Sequence, residues 1–299
     1  MKSKAWTEKV MQGVIFIAAC ASVLAVALIC IFLFANGIPA IRQIGFVKFI
    51  TGDIWRPGNE LFGIFPMIIG SIYVTAGAII FGVPIGILTS VFMAMYCPKK
   101  IYKPLKAATE LLAGIPSVVY GFFGMAVVVP AIRNYLLPLW KLISPDTATS
   151  GFSVLAGAII LAIMILPTIV SMSENAIRAV PPEFREASLA LGADKRETIS
   201  KVIVPAAKSG IFSSIILAMG RAIGETMAVL MVTGNVAKVP GSAFDPAATL
   251  TGTIAMEWSY ASPEHQSALF AVGIILFVII VILNGIAQAL MKRLGGMHA

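Results

Sequence analysis

The chain has 299 residues, 59% of them hydrophobic and only 12% charged, about half the charged fraction of an average soluble domain. The charges cluster between long neutral runs, which excludes an ordinary soluble globular domain and points to a chain solvated mainly by lipid. The formal net charge of +8 is one that nucleic-acid-binding proteins share, but here the basic residues flank apolar runs instead of forming one basic face, which argues against nucleic acid.

Lys2, Lys4 and Lys9 precede the first apolar run, and Ile17-Ala18-Ala19-Cys20 has the look of a lipoprotein cleavage box. The neutral stretch continues from Val10 to Ile41, well past the ~7–15 residues of a signal h-region. It therefore reads as a retained membrane helix. A span needs about 20 apolar residues. Six are predicted, at 12–35, 66–93, 108–131, 152–173, 211–233 and 268–290. The second lies in an uncharged run from Leu61 to Tyr96, about 54 Å long as a straight helix against a core of ~30 Å. A bend is expected at Gly82-Val83-Pro84. The third is punctuated by Gly114, Pro116, Gly121 and Gly124, small residues that permit close packing or a local break. The expected organisation is a first span with its loop (1–60), a permease-like bundle (61–290) and a short tail (291–299).

Basic residues set the orientation. With six spans, fifteen Lys and Arg share the side of both termini, six lie on the other side, and Arg221 falls inside a span. Both termini are thus expected in the cytoplasm, with the chain multi-pass in the bacterial inner membrane. Cys20, Cys30 and Cys97 show no metal-ligand spacing, and His265 and His298 are the two histidines, so neither a disulfide framework nor a zinc site is expected. The sequence contains no Gly-x-x-x-x-Gly-Lys-Ser/Thr phosphate loop, so no ATPase activity is expected of the chain alone.

The segment between spans four and five carries the clearest local signals. Pro181-Pro182 stops one helix and permits another to start. Glu183 and Glu186 fall in its first turn, where the helix dipole favours acids. Gly192 is placed as the C′ residue, and Asp194 with Glu197 forms a capping box for a second helix that Pro205 ends. The result is a short helical hairpin. On physical grounds alone, an amphipathic connector resting on the bilayer is an equal reading.

Glu186-Ala187-Ser188, Gly192 and Val202-Ile203-Val204-Pro205 resemble the EAA loop of type I ABC importer permeases, with Ser188 in place of the usual second Ala. The resemblance implies an all-α, polytopic fold in which this loop is the coupling helix seated in an ATPase subunit. Glu186, Ala187, Gly192 and Pro205 would carry the docking.

Span five reads Gly220-Arg221-Ala222-Ile223-Gly224-Glu225-Thr226. Charges at mid-membrane depth are costly and usually face a polar cavity or each other. In one continuous helix Arg221 and Glu225, four apart, would share a face. They form either a self-neutralising pair or an oxyanion pathway in which the Arg fork grips the anion. A carboxylate can accept a hydrogen bond from the P–OH of phosphate but would repel sulfate, so an Arg–Glu pair suits phosphate better. This segment, extended by Met227-Ala228-Val229, and Glu110 to Phe123 resemble the phosphate (Pst-type) importer permeases, with the Met-Ala-Val ending closer to the PstC branch than to PstA. That family implies a second permease chain of the PstA type, two PstB-type ATPase copies that bind ATP and Mg, and an external PstS-type phosphate-binding protein. Ser117, Tyr120 and Thr226 join Arg221 and Glu225 as candidate pathway residues. The alternatives are an ABC permease for another oxyanion or small solute, and an ion-gradient-driven transporter. Glu110 and Glu174, near span ends, read as solvated helix-end charges. Trp258 and Tyr260 read as interfacial anchors.

Overall fold

The structure, a computed structural model, describes residues 2–144 and 150–295, with side chains for 11–144 and 150–289. The side chains of Lys2, Lys4, Lys9, Lys292 and Arg293, and the whole of His298, lie outside these. The described chain is almost entirely helical. It runs α1 (Lys2–Ile44), α2 (Phe46–Thr51), a small hairpin β1 (Trp55–Arg56) and β2 (Leu61–Phe62), then α3 (Phe65–Tyr96), α4 (Lys99–Gly114) and α5 (Ser117–Trp140). There follow α6 (Val154–Arg178), α7 (Pro182–Ala190), α8 (Lys195–Ala206), α9 (Lys208–Gly224), α10 (Met227–Leu230), α11 (Leu250–Glu257) and α12 (Pro263–Gly295). In the hairpin Trp55 pairs with Phe62, antiparallel.

Among the described residues, five helices are long and apolar enough to cross a membrane, and the pair α8–α9, bent by 64°, makes a sixth. Two expected boundaries shift. The third span begins at Ser117 and runs to Trp140, not 108–131, because Ile115-Pro116 breaks the chain and 108–114 belongs to the separate helix α4. The residue before a proline is driven out of the α region, and Ile115 indeed has ψ 127. The fifth span is not continuous over 211–233. Its helix stops at Gly224, Glu225 is extended (φ −69, ψ 131), and only the short α10 follows. In the second span the helix is unbroken through Pro84, and its last turn, Phe92–Tyr96, is π-helical.

The centre is α3 packed along α6. An added Cβ would lie 2.7 Å from Ala158 at Gly77 and 2.7 Å from Ile169 at Gly86. Their missing side chains let the two helices approach closely, the packing that replaces the hydrophobic effect between helices in lipid. At the end carrying the 181–205 segment, the loop end, Ile177, Ile199, Ile203 and Ile211 form one cluster with Val91 and Met95. At the opposite end Trp55, Phe62, Leu250 and Leu269 form another. Helix α1 leans on α12 through its second half, with Phe32 edge-on to Phe270 at 5.4 Å. Its residues 11–29 are exposed, as an apolar helix facing lipid would be.

Candidate functional site

Two regions carry the chemistry, and the α8–α9 pair joins them. The first is the loop-end hairpin. Helix α7 starts at Pro182 and closes in a Schellman turn: Gly192 N–H bonds Leu189 O at 3.0 Å and Ala193 N–H bonds Ser188 O at 3.2 Å. Gly192 sits at φ +88 with open space around it, so backbone conformation alone selects glycine there. Asp194 accepts from the Glu197 amide at 2.7 Å. The Glu197 carboxylate pairs with Lys201 at 2.9 Å. The Asp194 half of the capping box is therefore formed. Helix α8 runs one residue past Pro205 before the chain turns at Ala207.

Ser188, where the EAA pattern has Ala, is the one buried residue of α7. Its hydroxyl meets that of Thr198 at 2.9 Å and ties α7 to α8. Glu186 and Ala187 are exposed, and Ala187 and Gly192 border a cleft of about 610 Å³ between the two helices. Phe184 (51% exposed) and Leu191 (89%) stand out on the same surface. Lys195 lies over the Tyr96 ring at 4.7 Å, so the hairpin is fastened to the end of α3 as well.

Beside the hairpin lies a group that sequence reasoning misjudged. Glu174 is fully buried, not solvated. It accepts from Tyr102 Oη at 2.7 Å, Arg178 Nε at 2.8 Å and Lys106 Nζ at 3.0 Å. Arg178 also donates to the Met93 carbonyl at 2.9 Å. The hydrogen bond to Glu174, with burial, pushes the Tyr102 phenol above its usual range. Helix α4 buries none of its residues, so this cluster is its main polar tie to α6, which Arg178 in turn ties to α3. Arg178, four residues on, was a visible partner; Tyr102 and Lys106 are too distant in sequence to be foreseen.

The second region is the break in the fifth span. Gly224 ends α9 and Glu225 turns away, so the expected shared helix face of Arg221 and Glu225 does not exist: the backbone leaves the helix between them. Glu225 Oε1 accepts from the Ala228 amide at 3.3 Å, capping α10, and the Glu225 carbonyl accepts from Thr251 at 2.9 Å. Its side chain borders a small pocket edged by Ser71, Thr75, Thr249 and Thr251. Thr226 Oγ1 donates to the Gly224 carbonyl at 3.3 Å. Arg221, exposed in the last turn of α9, borders a different space, an open groove of about 720 Å³ between α6, α9 and α12. Thr168, Ser213, Asn284 and Gln288 border it too. Neither the guanidinium nor the two amides has a hydrogen-bond or ion-pair partner among the described residues.

Tyr120 is buried and donates to the Leu112 carbonyl at 2.7 Å across the α4–α5 break. Ser117, half-buried, is the first residue of α5. The structure thus separates Arg221, which borders the open groove, from Glu225, which borders the small pocket. Asn284 and Gln288 were overlooked in the sequence, although two amides four apart in an apolar span are a recognisable signal.

The pattern of binding-protein-dependent transport system inner membrane components matches residues 82–296. The phosphate transport system permease protein PstC of Mesorhizobium japonicum is 37% identical over 278 residues, covering 89% of this chain and 84% of that protein. A probable ABC transporter permease protein, YqgH, of Bacillus subtilis is 38% identical and covers 89% and 86%. In fold, the chain resembles a chain of the MetNI methionine ABC transporter (TM-score 0.56, 18% identity, covering 81% and 99%) and one of a bacterial alginate ABC transporter (0.57, 16%, 91% and 94%). The chain therefore belongs to the inner membrane components of binding-protein-dependent transport systems, with the fold of type I ABC importer permeases.

Proposed function

We propose that the chain is the PstC-type permease subunit of an ATP-driven importer that brings inorganic phosphate into the cytoplasm. The observation that carries this reading is the connection of two sites by one bent helix pair: the exposed loop-end hairpin leads through Ala207 into α9, whose last turn carries Arg221. The similarity to proteins named as phosphate permeases supports the choice of cargo. The excess of basic residues at the loop end supports a cytoplasmic position for both termini.

In this reading Glu186, Ala187, Gly192 and Pro205 present the hairpin to one of two PstB-type ATPase copies, which bind ATP and Mg and perform the hydrolysis. A PstA-type chain completes the pathway, and a PstS-type protein delivers phosphate from outside. Arg221 offers forked donors to the phosphate oxygens. Glu225, in the separate pocket across the break, meets the anion at a different step from Arg221 and accepts from a P–OH there, which disfavours fully ionised sulfate.

Uptake of labelled phosphate by proteoliposomes holding the full complex tests the reading. Arg221→Gln is expected to abolish uptake, and Glu225→Gln to weaken the preference for phosphate over sulfate. Wild-type phosphate uptake by an assembled Arg221→Gln complex would sink it. Deleting 181–205 should abolish both ATPase assembly and uptake; an ion-gradient transporter would remain active.

A further inference from the structure

The groove below Arg221 has polar groups that the break in the fifth span does not explain. We propose that Asn284 and Gln288 of α12, with Ser213 of α9 and Thr168 of α6, form a neutral oxyanion-release track leading from Arg221 towards the loop end. The inference rests on the anion-import reading of Arg221 and adds to it the route by which the anion leaves.

The argument begins with cost. Span six is otherwise strongly apolar, and an amide left without a partner in lipid is expensive. Asn284 and Gln288 are four residues apart and share one face of α12. Both border the groove that Arg221 borders, and neither has a hydrogen-bond partner among the described residues. An added Cβ on Gly220 would lie 4.0 Å from the Asn284 amide oxygen, which sets that amide beside the turn of α9 carrying Arg221.

Direction follows from the helices. Helix α9 enters from the loop end at Lys208 and α12 finishes there, so Ser213 and Gln288 are the loop-end members of the set. From Arg221 to Ser213 the track descends about 12 Å along α9. Thr168 faces it from α6.

The chemistry suits release better than capture. A second cation would hold the anion in a deep well, whereas amide and hydroxyl groups donate hydrogen bonds without a full charge. An anion leaving the Arg221 fork meets the amides of Asn284 and Gln288 and the Thr168 hydroxyl, while the Ser213 hydroxyl, which donates to the Ser209 carbonyl at 2.9 Å, serves as an acceptor for a protonated oxyanion. The amide and hydroxyl oxygens can also accept from a protonated oxyanion.

The test uses the full importer complex in proteoliposomes. Asn284→Leu and Gln288→Leu, which keep bulk and remove the donors, should each lower phosphate uptake by about tenfold, the scale of one hydrogen bond to a charged group. Asn284→Gln should restore part of the loss. In a background with Cys20, Cys30 and Cys97 replaced by Ser, Asn284→Cys should react with a membrane-impermeant anionic thiosulfonate applied at the loop end. Inorganic phosphate should slow that reaction and chloride should not. Normal uptake by both Leu variants, labelling indifferent to phosphate, or a cysteine that never labels because a helix covers the groove would each overturn the track. If Arg221→Gln also transports normally, the import reading itself falls. If Arg221→Gln is inactive while both Leu variants are active, only the track falls.

Discussion

Replacing Glu174 by Gln removes the charge that holds α4 against the bundle. The carboxylate is fully buried and receives three donors within 3.0 Å, two of them cationic. Breaking a buried ion pair on one side costs about 3–5 kcal/mol, because the other charge is left unpaired. Arg178 is 44% exposed and Lys106 23%, so water recovers part of the loss and about 3 kcal/mol is expected. Helix α4 buries no residue of its own, so the loss should appear as local opening of α4 and not as global unfolding. Three kcal/mol corresponds to about 100-fold faster exchange. Hydrogen–deuterium exchange of the chain in nanodiscs should show amides within 99–114 exchanging about 100-fold faster in the Gln variant, while those of α6 hold. Unchanged exchange in 99–114 would refute the claim that this cluster anchors α4.

The same cluster makes stability sensitive to alkali. Tyr102 ionises above its ordinary 10.0 when folded, so its contribution is complete below the unfolded value and is lost as pH rises through the higher folded one. Thermal scans should show destabilisation beginning above pH ~10, and Tyr102→Phe should flatten that limb relative to wild type. Gly192→Ala forces an L-residue to φ +88 and should cost about 1–2 kcal/mol at the hairpin turn; Gly192→Asn should cost less, with ATPase-subunit recovery on co-purification following the same order. Ser188→Ala should destabilise the hairpin by about 1 kcal/mol, through the lost bond to Thr198. The double variant Ser188→Ala/Thr198→Val should recover part of it, and additive losses in thermal scans would show that the 2.9 Å contact carries no coupling.

The hairpin was legible because its signals are local: Pro182, Gly192, Asp194 and Glu197 each act within four residues, and each adopts the geometry its chemistry requires. Six crossings were legible from apolar run length. Breaks inside apolar runs were not. Leu111-Leu112-Ala113 read as the start of a span although they finish an exposed helix whose Lys99, Lys103 and Lys106 belong to its polar side; Pro116 was the true boundary signal. Gly224-Glu225-Thr226 looked like helix interior until the backbone was seen to leave the α region at Glu225. Glu174 was misjudged because two of its three partners come from α4, some seventy residues away, and no local pattern announces such a pairing.

The turn at Ala207 gives the α8–α9 pair the geometry of a bell crank. The α8 arm, 12 residues from Lys195 to Ala206, is about 18 Å long, and the arm from Lys208 to Arg221 is about 20 Å. Arms this nearly equal transmit displacement at a ratio close to one, turned through the 64° between them. A rotation of about 10° around Ala207 shifts each far end by about 3 Å. In the anion-import reading, a push of one water diameter at Lys195 is therefore enough to carry the Arg221 fork out of hydrogen-bonding range of a fixed anion.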